Sequence, residues 1–397
     1  HFNVLKGMPQ AAQILANAVV QNKRIIIVGD FDADGATSTS VCILALRAMG
    51  YQNVDFLVPN RFDFGYGLSV PIVDEAAKQR AEVIVTVDNG ISCIDGVTHA
   101  KSLGMQVVVT DHHLPGDVLP PADAIVNPNQ PGCEFPSKNL AGVGVAFYIM
   151  LALKAELQQQ GHFERAGLAP PNLASLLDIV AVGTVADVVV LDKNNRILVH
   201  QGLQRIRAGK CRPGIKALVE VANRDCAHLT STDLGFVVGP RLNAAGRLDD
   251  MSQGIACLLE DETIQARMIA AELDALNKER REIETGMKAQ AETVLEQMAL
   301  DEGDMPSALV VYREDFHQGV IGIVAGRLKE KYLKPVIAFA HQDDEIIKGS
   351  ARSIPGVHIR DVLDEVNTRY PGVIEKFGGH AMAAGLSLPV AKLQDFE

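Results

Sequence analysis

Three carboxylates stand at alternate positions in Val28-Gly-Asp-Phe-Asp-Ala-Asp-Gly35: Asp30, Asp32 and Asp34. Three like charges so close repel one another, and they are tolerable together only where water or a cation stabilises them. Two chemistries fit. The acids form part of a divalent-metal site, or they make an acidic turn that complements the dipole of a following helix.

Other acids occupy comparable places. Val83-Ile-Val-Thr-Val87 runs into Asp88-Asn-Gly90, and Val107-Val-Val-Thr110 runs into Asp111-His112-His113. Leu176-Leu-Asp-Ile-Val-Ala-Val-Gly-Thr-Val-Ala-Asp187 is nearly all apolar until its final carboxylate. A carboxylate closing a buried segment needs a partner, which a metal, a helix N-terminus or an arginine could supply.

The elements that carry these acids are legible from hydrophobic periodicity. Residues 8–22 read as an amphipathic helix, 24–29 as a buried strand, and 36–49 as a helix. Strands at 54–58, 83–87 and 107–110 alternate with helices at 70–80 and 93–102. This alternation predicts a parallel sheet with helices on both faces, an α/β fold. Asp30, Asp88 and Asp111 each follow a strand, and ligands of open parallel sheets bind beyond the carboxyl ends of the strands. The three acids are therefore expected at one edge of the sheet although they lie far apart in sequence.

Composition sets the outer limits. The chain has 397 residues, 47% of them hydrophobic, enough for two globular domains. No apolar run is long enough to span a bilayer and no secretory signal opens the chain, so a cytoplasmic protein without a membrane partner is expected. Six scattered cysteines, with no C-x-x-C pair, fit a reduced setting rather than a disulfide framework or zinc ribbon. A net charge of −12 argues against a broad basic face for nucleic acid but leaves room for a narrow basic groove. The first residue, His1, reads as the start of a fragment or a processed chain.

After a proline-rich connection, residues 143–160, 172–186, 194–208 and 213–222 fit helices. Residues 262–299 read as one helix able to reach about 57 Å and to link two domains. A second α/β unit follows, with strands at 308–312, 336–340, 346–351 and 386–388 and helices at 319–331 and 359–367. The organisation expected is a domain over 1–261, a connecting helix over 262–300, and a second domain over 301–397.

The ordered set Asp-x-Asp-x-Asp-Gly35, Asp88-Asn-Gly90, Asp111-His-His113 and Gly183-Thr-Val-Ala-Asp187 resembles the four motifs of the DHH phosphoesterase superfamily. Gly378-Gly-His-Ala-Met-Ala-Ala-Gly385 resembles the signature of its accessory DHHA1 domain. Within the superfamily, Val58-Pro-Asn-Arg61 and Gly239-Pro-Arg-Leu-Asn-Ala-Ala-Gly-Arg247 resemble the bacterial RecJ family, and the likeness covers nearly the whole chain. The resemblance implies a metal-dependent exonuclease of DNA repair and recombination that acts 5′→3′ on single-stranded DNA and releases 5′-mononucleotides. It further implies a monomer, with a single-strand-binding protein and helicases as partners. Such proteins continue into an OB-fold that this sequence does not include, and which would add a platform for single strands.

The same resemblance implies two divalent ions, Mn²⁺ or Mg²⁺, held by Asp30, Asp32, Asp34, Asp88, His112 and Asp187, with Asp88 bridging. Carboxylates with one imidazole suit those ions on chemical grounds as well. Asp30, nearest the strand, either binds metal or orients a ligand or water. Adjacent residues on an extended segment point opposite ways, so His113 is assigned to phosphate contact or leaving-group stabilisation, and Asp111 to orienting a histidine. The plainer alternative is that one of the histidine pair is merely packed.

Substrate contacts need cations and backbone amides. Arg61, Arg241, Asn243, Arg247, Ser350, Arg352, Gly378, Gly379 and His380 are the candidates, and the small residues at 244–246 would let a backbone approach closely. Each arginine could instead make an ordinary salt bridge. Residues 307–390 hold ten Lys/Arg and ten Asp/Glu, so any grip on DNA rests on a few convergent cations. A DHH phosphodiesterase of short oligoribonucleotides or cyclic dinucleotides, and a DNA-binding scaffold with a decayed site, are the competing readings.

Overall fold

The computed structural model describes residues 2–60, 67–302 and 306–397. It divides into two compact units, His1–Asn277 and Lys278–Glu397.

In the first unit, α1 (Met8–Val20) leads into β1 (Ile25–Val28), α2 (Ala33–Ala48), β2 (Val54–Leu57), α3 (Val70–Lys78), β3 (Val83–Val87), α4 (Ile94–Ser102), β4 (Gln106–Thr110) and β5 (Ala124–Val126). The sheet order is β2-β1-β3-β4-β5, and every pair is parallel. All four residues of β1 are fully buried because both faces of the sheet are covered. Ile25 and Ile27 join the core shared with α1 and α2, while Ile26 and Val28 join the core under α3 and α4. The apolar runs are thus continuous rather than alternating, as parallel strands buried on both sides require.

Helix α2 begins at Ala33, three residues earlier than its periodicity suggests. Its first half is made of small residues, Gly35-Ala-Thr-Ser-Thr-Ser40, all buried. These let it lie close between its neighbours. Two of its hydroxyls return to the helix's own carbonyls, Thr37 to Ala33 and Ser40 to Ala36, each at 2.8 Å. The strand β5 has no counterpart among the expected elements. It is three residues long and emerges from the proline-rich connection, too short for a periodicity to register.

The remainder of the unit is helical: α5 (Gly142–Gln159), α6 (His162–Ala166), α7 (Leu177–Ala186), α8 (Lys193–Arg207), α9 (Pro213–Val221), the single turn α10 (Ser231–Asp233), a π-helical turn at Leu234–Val238, α11 (Gly239–Leu248) and α12 (Ser252–Leu259). The long helix α13 spans Thr263–Glu302, and the division between the two units falls within it.

The second unit holds β6 (Leu309–Tyr312), α14 (Ile321–Tyr332), β7 (Val336–His341), β8 (Ile346–Arg352), α15 (Ile359–Arg369), β9 (Lys376–Gly379), β10 (Ala383–Pro389) and α16 (Leu393–Phe396). Its sheet runs β6-β7-β8-β10-β9, with β6 and β7 parallel and the other pairs antiparallel. The chain is α/β in both units. No described helix is long and apolar enough to cross a membrane.

Candidate metal centre

The acids that follow β1 and β3 do meet, and Asp111, after β4, adjoins them through the histidines that follow it. Asp32 is the N-cap of α2, its Oδ1 accepting the Gly35 amide at 3.0 Å, while Asp30 Oδ1 accepts the Phe31 amide at 2.8 Å. Asp34 lies in the first turn of α2 and is buried. Its two oxygens accept the amides of Gly142 at 2.7 Å and Val143 at 2.8 Å, so it also closes the N-terminus of α5. Asp88, just past β3, has φ +62°, a left-handed conformation that Asp tolerates better than most residues and that turns the chain sharply at the sheet edge. Beside it, the buried Asn89 donates to the carbonyls of Val28 at 3.0 Å and Val87 at 2.9 Å, tying β3 to β1 where both strands deliver their acids. Asn89 was not among the expected site residues, and its signal in the sequence is the Asp88-Asn-Gly90 turn itself.

His112 reaches into this group. Its Nε2 lies 3.1 Å from Asp88 Oδ1, 3.6 Å from Asp187 Oδ2 and 3.8 Å from Asp34 Oδ2. Three overlapping sets of donor atoms lie within 4.8 Å of one another: Asp30, Asp32 and Asp88; Asp34, His112 and Asp187; and Asp88, His112 and His113. All six expected ligands occur in these sets.

The expectation that His112 and His113 point opposite ways does not hold. Their ring centroids are 4.5 Å apart. The reason is local. Strand β4 ends at Thr110, and Asp111 Oδ1 accepts the amides of His112 at 2.7 Å and His113 at 3.1 Å, which curls the backbone out of the extended form. Asp111 also pairs with His113 Nδ1 at 2.7 Å and accepts the Ile91 amide at 2.9 Å. It thus orients His113 and stands behind the cluster of acids.

Electrostatics divides these groups into two sets. Burial first, and the charge of Asp32 second, push Asp34 up to about 7, although the amides of Val143 and Gly142 pull the other way. Burial and then Asp34 raise Asp187 to about 9, and the same two causes hold Asp88 well above the ordinary carboxylate range. Burial, helped by the charge of His113, lowers His112 to about 4, so this imidazole is neutral at physiological pH and its contacts with the acids are not ion pairs. His113 goes the opposite way. Burial would lower it, but the hydrogen bond and charge of Asp111 outweigh burial and raise it to about 9.

Crowded, buried carboxylates around a neutral imidazole are destabilised as they stand. Both His112 Nε2 and Asp187 Oδ2 are buried and make no hydrogen bond. Oxygen donors with one or two imidazoles are the chemistry of a hard divalent cation, and the residues present fit such an ion.

The comparisons with known proteins find two domains along the chain. Residues 24–184 match the DHH family, N-terminal domain, and residues 306–397 match the DHHA1 domain. The single-stranded-DNA-specific exonuclease RecJ of Escherichia coli (strain K12) is 60% identical over 393 residues, covering 99% of this chain and 68% of that protein. The chain belongs to the RecJ family. RecJ of Haemophilus influenzae is 55% identical, with 100% of this chain and 68% of that protein covered. Among solved structures, an exonuclease RecJ bound to manganese superposes with a TM-score of 0.81 at 34% identity, covering 99% of this chain and 92% of that one. RecJ of Thermus thermophilus in complex with Mn²⁺ gives 0.80 at 33% identity, covering 99% of this chain and 53% of that one.

The expected nucleic-acid contacts fare unevenly. Arg61 lies outside the described residues. Arg241 is buried, and its guanidinium is taken up within the protein. Nε and Nη2 bind Asp274 Oδ1 at 2.9 and 2.7 Å, and Nη1 donates to the Val237 carbonyl at 2.7 Å. Its place as a phosphate contact is therefore corrected to a structural ion pair. Asn243 Oδ1 accepts the Ala33 amide at 2.8 Å, in the middle of the acidic turn. The small residues at 244–246 do admit a backbone, but it is the chain's own: a β-carbon at Gly246 would collide with the Phe31 carbonyl. Arg247 is half-buried in the last turn of α11.

In the second unit, Ser350 and Arg352 share a face of β8, and Arg352 Nη1 lies 3.0 Å from Ser350 Oγ. Gly378 and Gly379 lie on the edge strand β9, opposite Gly385 and Ala384. The His380 amide donates to the Ala383 carbonyl at 2.8 Å, so it closes a hairpin instead of facing a phosphate, while the exposed His380 side chain remains at the hairpin end.

Proposed function

We propose that this chain is a metal-dependent exonuclease acting on single-stranded DNA, working 5′→3′ and releasing 5′-mononucleotides in DNA repair and recombination. The observation that carries the reading is the meeting of Asp30, Asp32, Asp34, Asp88, His112 and Asp187, from four separate segments, in overlapping donor sets. The names of the RecJ relatives and the manganese- and magnesium-bound family structures support it.

The six residues would hold two divalent ions, Mn²⁺ or Mg²⁺; Asp88 and His112 each belong to two of the donor sets, and the family resemblance favours Asp88 as the shared ligand. When bound, such ions supply Lewis acidity at the phosphate and lower the pKa of water. The chain's own residues do the rest. His112 stays neutral and keeps a lone pair for coordination. His113, held by Asp111 and protonated at neutral pH, offers a positive donor to a phosphate oxygen or to the departing oxygen. Arg61, Arg247, Ser350, Arg352, Gly378, Gly379 and His380 remain as candidates for contacts along the strand. A cytoplasmic monomer that works with a single-strand-binding protein and helicases completes the reading.

The test is a 5′-phosphorylated single strand labelled at either end, incubated with Mn²⁺, alongside Asp88→Asn. Labelled mononucleotide should appear first from the 5′ label, and the variant should release none. Cleavage confined to dimers and trimers would replace this reading with a small-substrate phosphodiesterase.

A further inference from the structure

Helix α11 presses on the acidic turn at two points. Asn243 Oδ1 takes the Ala33 amide, and the bare Gly246 backbone lies against the Phe31 carbonyl. Residues three apart on a helix share a face, so one face of α11 meets residues 31–33. Arg241, two positions before Asn243 and hence on the far side, anchors the same helix to Asp274 of α13.

The Ala33 amide is the first helical N–H of α2, one of the donors with no partner inside the helix. It sits between Asp32 and Asp34. Without Asn243, that buried N–H loses its acceptor in the turn that carries Asp30, Asp32 and Asp34, and the turn must shift to satisfy it. A side-chain amide acceptor from another helix satisfies the N–H without adding a charge to a place already crowded with acids.

We infer that Asn243, carried on the α11 clamp, is a positioning residue that sets Asp30, Asp32 and Asp34 for the metal rather than a contact to DNA. The inference rests on the metal-centre reading above for its consequence, but not for its geometry. Groups behind metal ligands that hold them in place are worth on the order of 10–100-fold in affinity when removed.

The experiment compares wild type, Asn243→Ala, Asn243→Asp and Asp88→Asn. Mn²⁺ binding to the chelator-stripped chain is measured by titration, and amide exchange of residues 30–36 is followed without metal. Asn243→Ala should bind Mn²⁺ about 10-fold more weakly or worse. It should also lose protection across the turn, while the salt dependence of its binding to an oligothymidine stays as in wild type. Asn243→Asp keeps an acceptor for the Ala33 amide but adds a charge beside the acids, so protection of residues 30–36, which it should retain, is the readout taken from it. Recovery in Asn243→Asp of the protection that Asn243→Ala loses is the outcome a phosphate contact cannot give, and reading exchange of residues 30–36 against the rest of the chain keeps that comparison valid even if the alanine variant is less stable overall. Unchanged exchange and Mn²⁺ affinity in Asn243→Ala overturn the inference. So does a salt slope reduced by about one with metal binding intact. If wild type takes up no Mn²⁺, or Asp88→Asn binds as well as wild type, the metal-centre reading fails instead, and the exchange data alone judge the clamp.

Discussion

Raising the pH of the chelator-stripped chain from 6.5 to 9 should lower its melting temperature, and Asp187→Asn should remove much of that loss. Asp187 is raised from 3.8 to about 9 in the fold. Throughout this window the unfolded carboxylate is ionised while the folded one holds its proton, so the folded chain binds more protons and loses stability as pH rises. The window of about 2.5 pH units corresponds to about 3 kcal/mol at 1.36 kcal/mol per unit. Asp34, raised to about 7, adds to the early part, and His113, raised to about 9, has the same sign. His112, lowered from 6.5 to about 4, acts in the opposite sense but below the window. For the 277 residues of the first unit, an unfolding entropy of about 2.1 cal/mol/K per residue totals about 600 cal/mol/K, so about 3 kcal/mol is about 5 °C. Calorimetry at constant ionic strength should show the pH-driven drop shrinking by about that much in Asp187→Asn, with the shares due to Asp34, Asp88 and His113 remaining. Saturating Mn²⁺ should raise the wild-type melting temperature more at pH 8.5 than at 6.5, because it binds the deprotonated donors. A flat or rising melting temperature in metal-free wild type, or an Asp187→Asn variant that melts below wild type at pH 9, would refute the reasoning.

Gly142→Ala places a β-carbon 2.7 Å from Asp88 Oδ1 and 2.9 Å from Asp34 Oδ2, and should weaken Mn²⁺ binding about 10-fold or more by displacing both acids, read by the same titration. Arg241→Ala leaves Asp274 buried without its guanidinium and should cost about 3–5 kcal/mol of stability in urea unfolding, which a phosphate contact at the surface would not. Arg352→Ala should weaken single-strand binding and reduce its salt slope by about one, with Mn²⁺ affinity unchanged; an unaltered slope removes Arg352 from the substrate contacts.

The convergence of the acids was legible in the sequence and the partners of the arginine and amide side chains were not, for a reason that lies in the charges themselves. Asp30, Asp88 and Asp111 each follow an apolar run, and a parallel sheet brings such positions to one edge, so the pattern alone predicted that they meet. Like charges cannot satisfy one another. A convergence of acids therefore points outward, to a cation, however the surrounding helices pack. An arginine carries no such implication, because one acid anywhere in the fold can absorb it. Arg241 shows this: Asp274 is 33 positions away on another helix, and nothing local links the two. Asn243 and Gly246 show the same ambiguity for small and amide side chains. A short polar residue beside residues without bulk suits a phosphate backbone or a protein backbone equally well, and only the placement of α11 against the turn at residues 31–33 decides between them. The histidine pair failed for a narrower reason. The rule that neighbours point apart belongs to strands, and β4 stops one residue before Asp111, whose own carboxylate turns the chain. Hydrophobic period locates the elements, and strand ends locate the acids. The residues that hold those acids in place are recognisable only by the backbone groups they satisfy, which the linear sequence does not display.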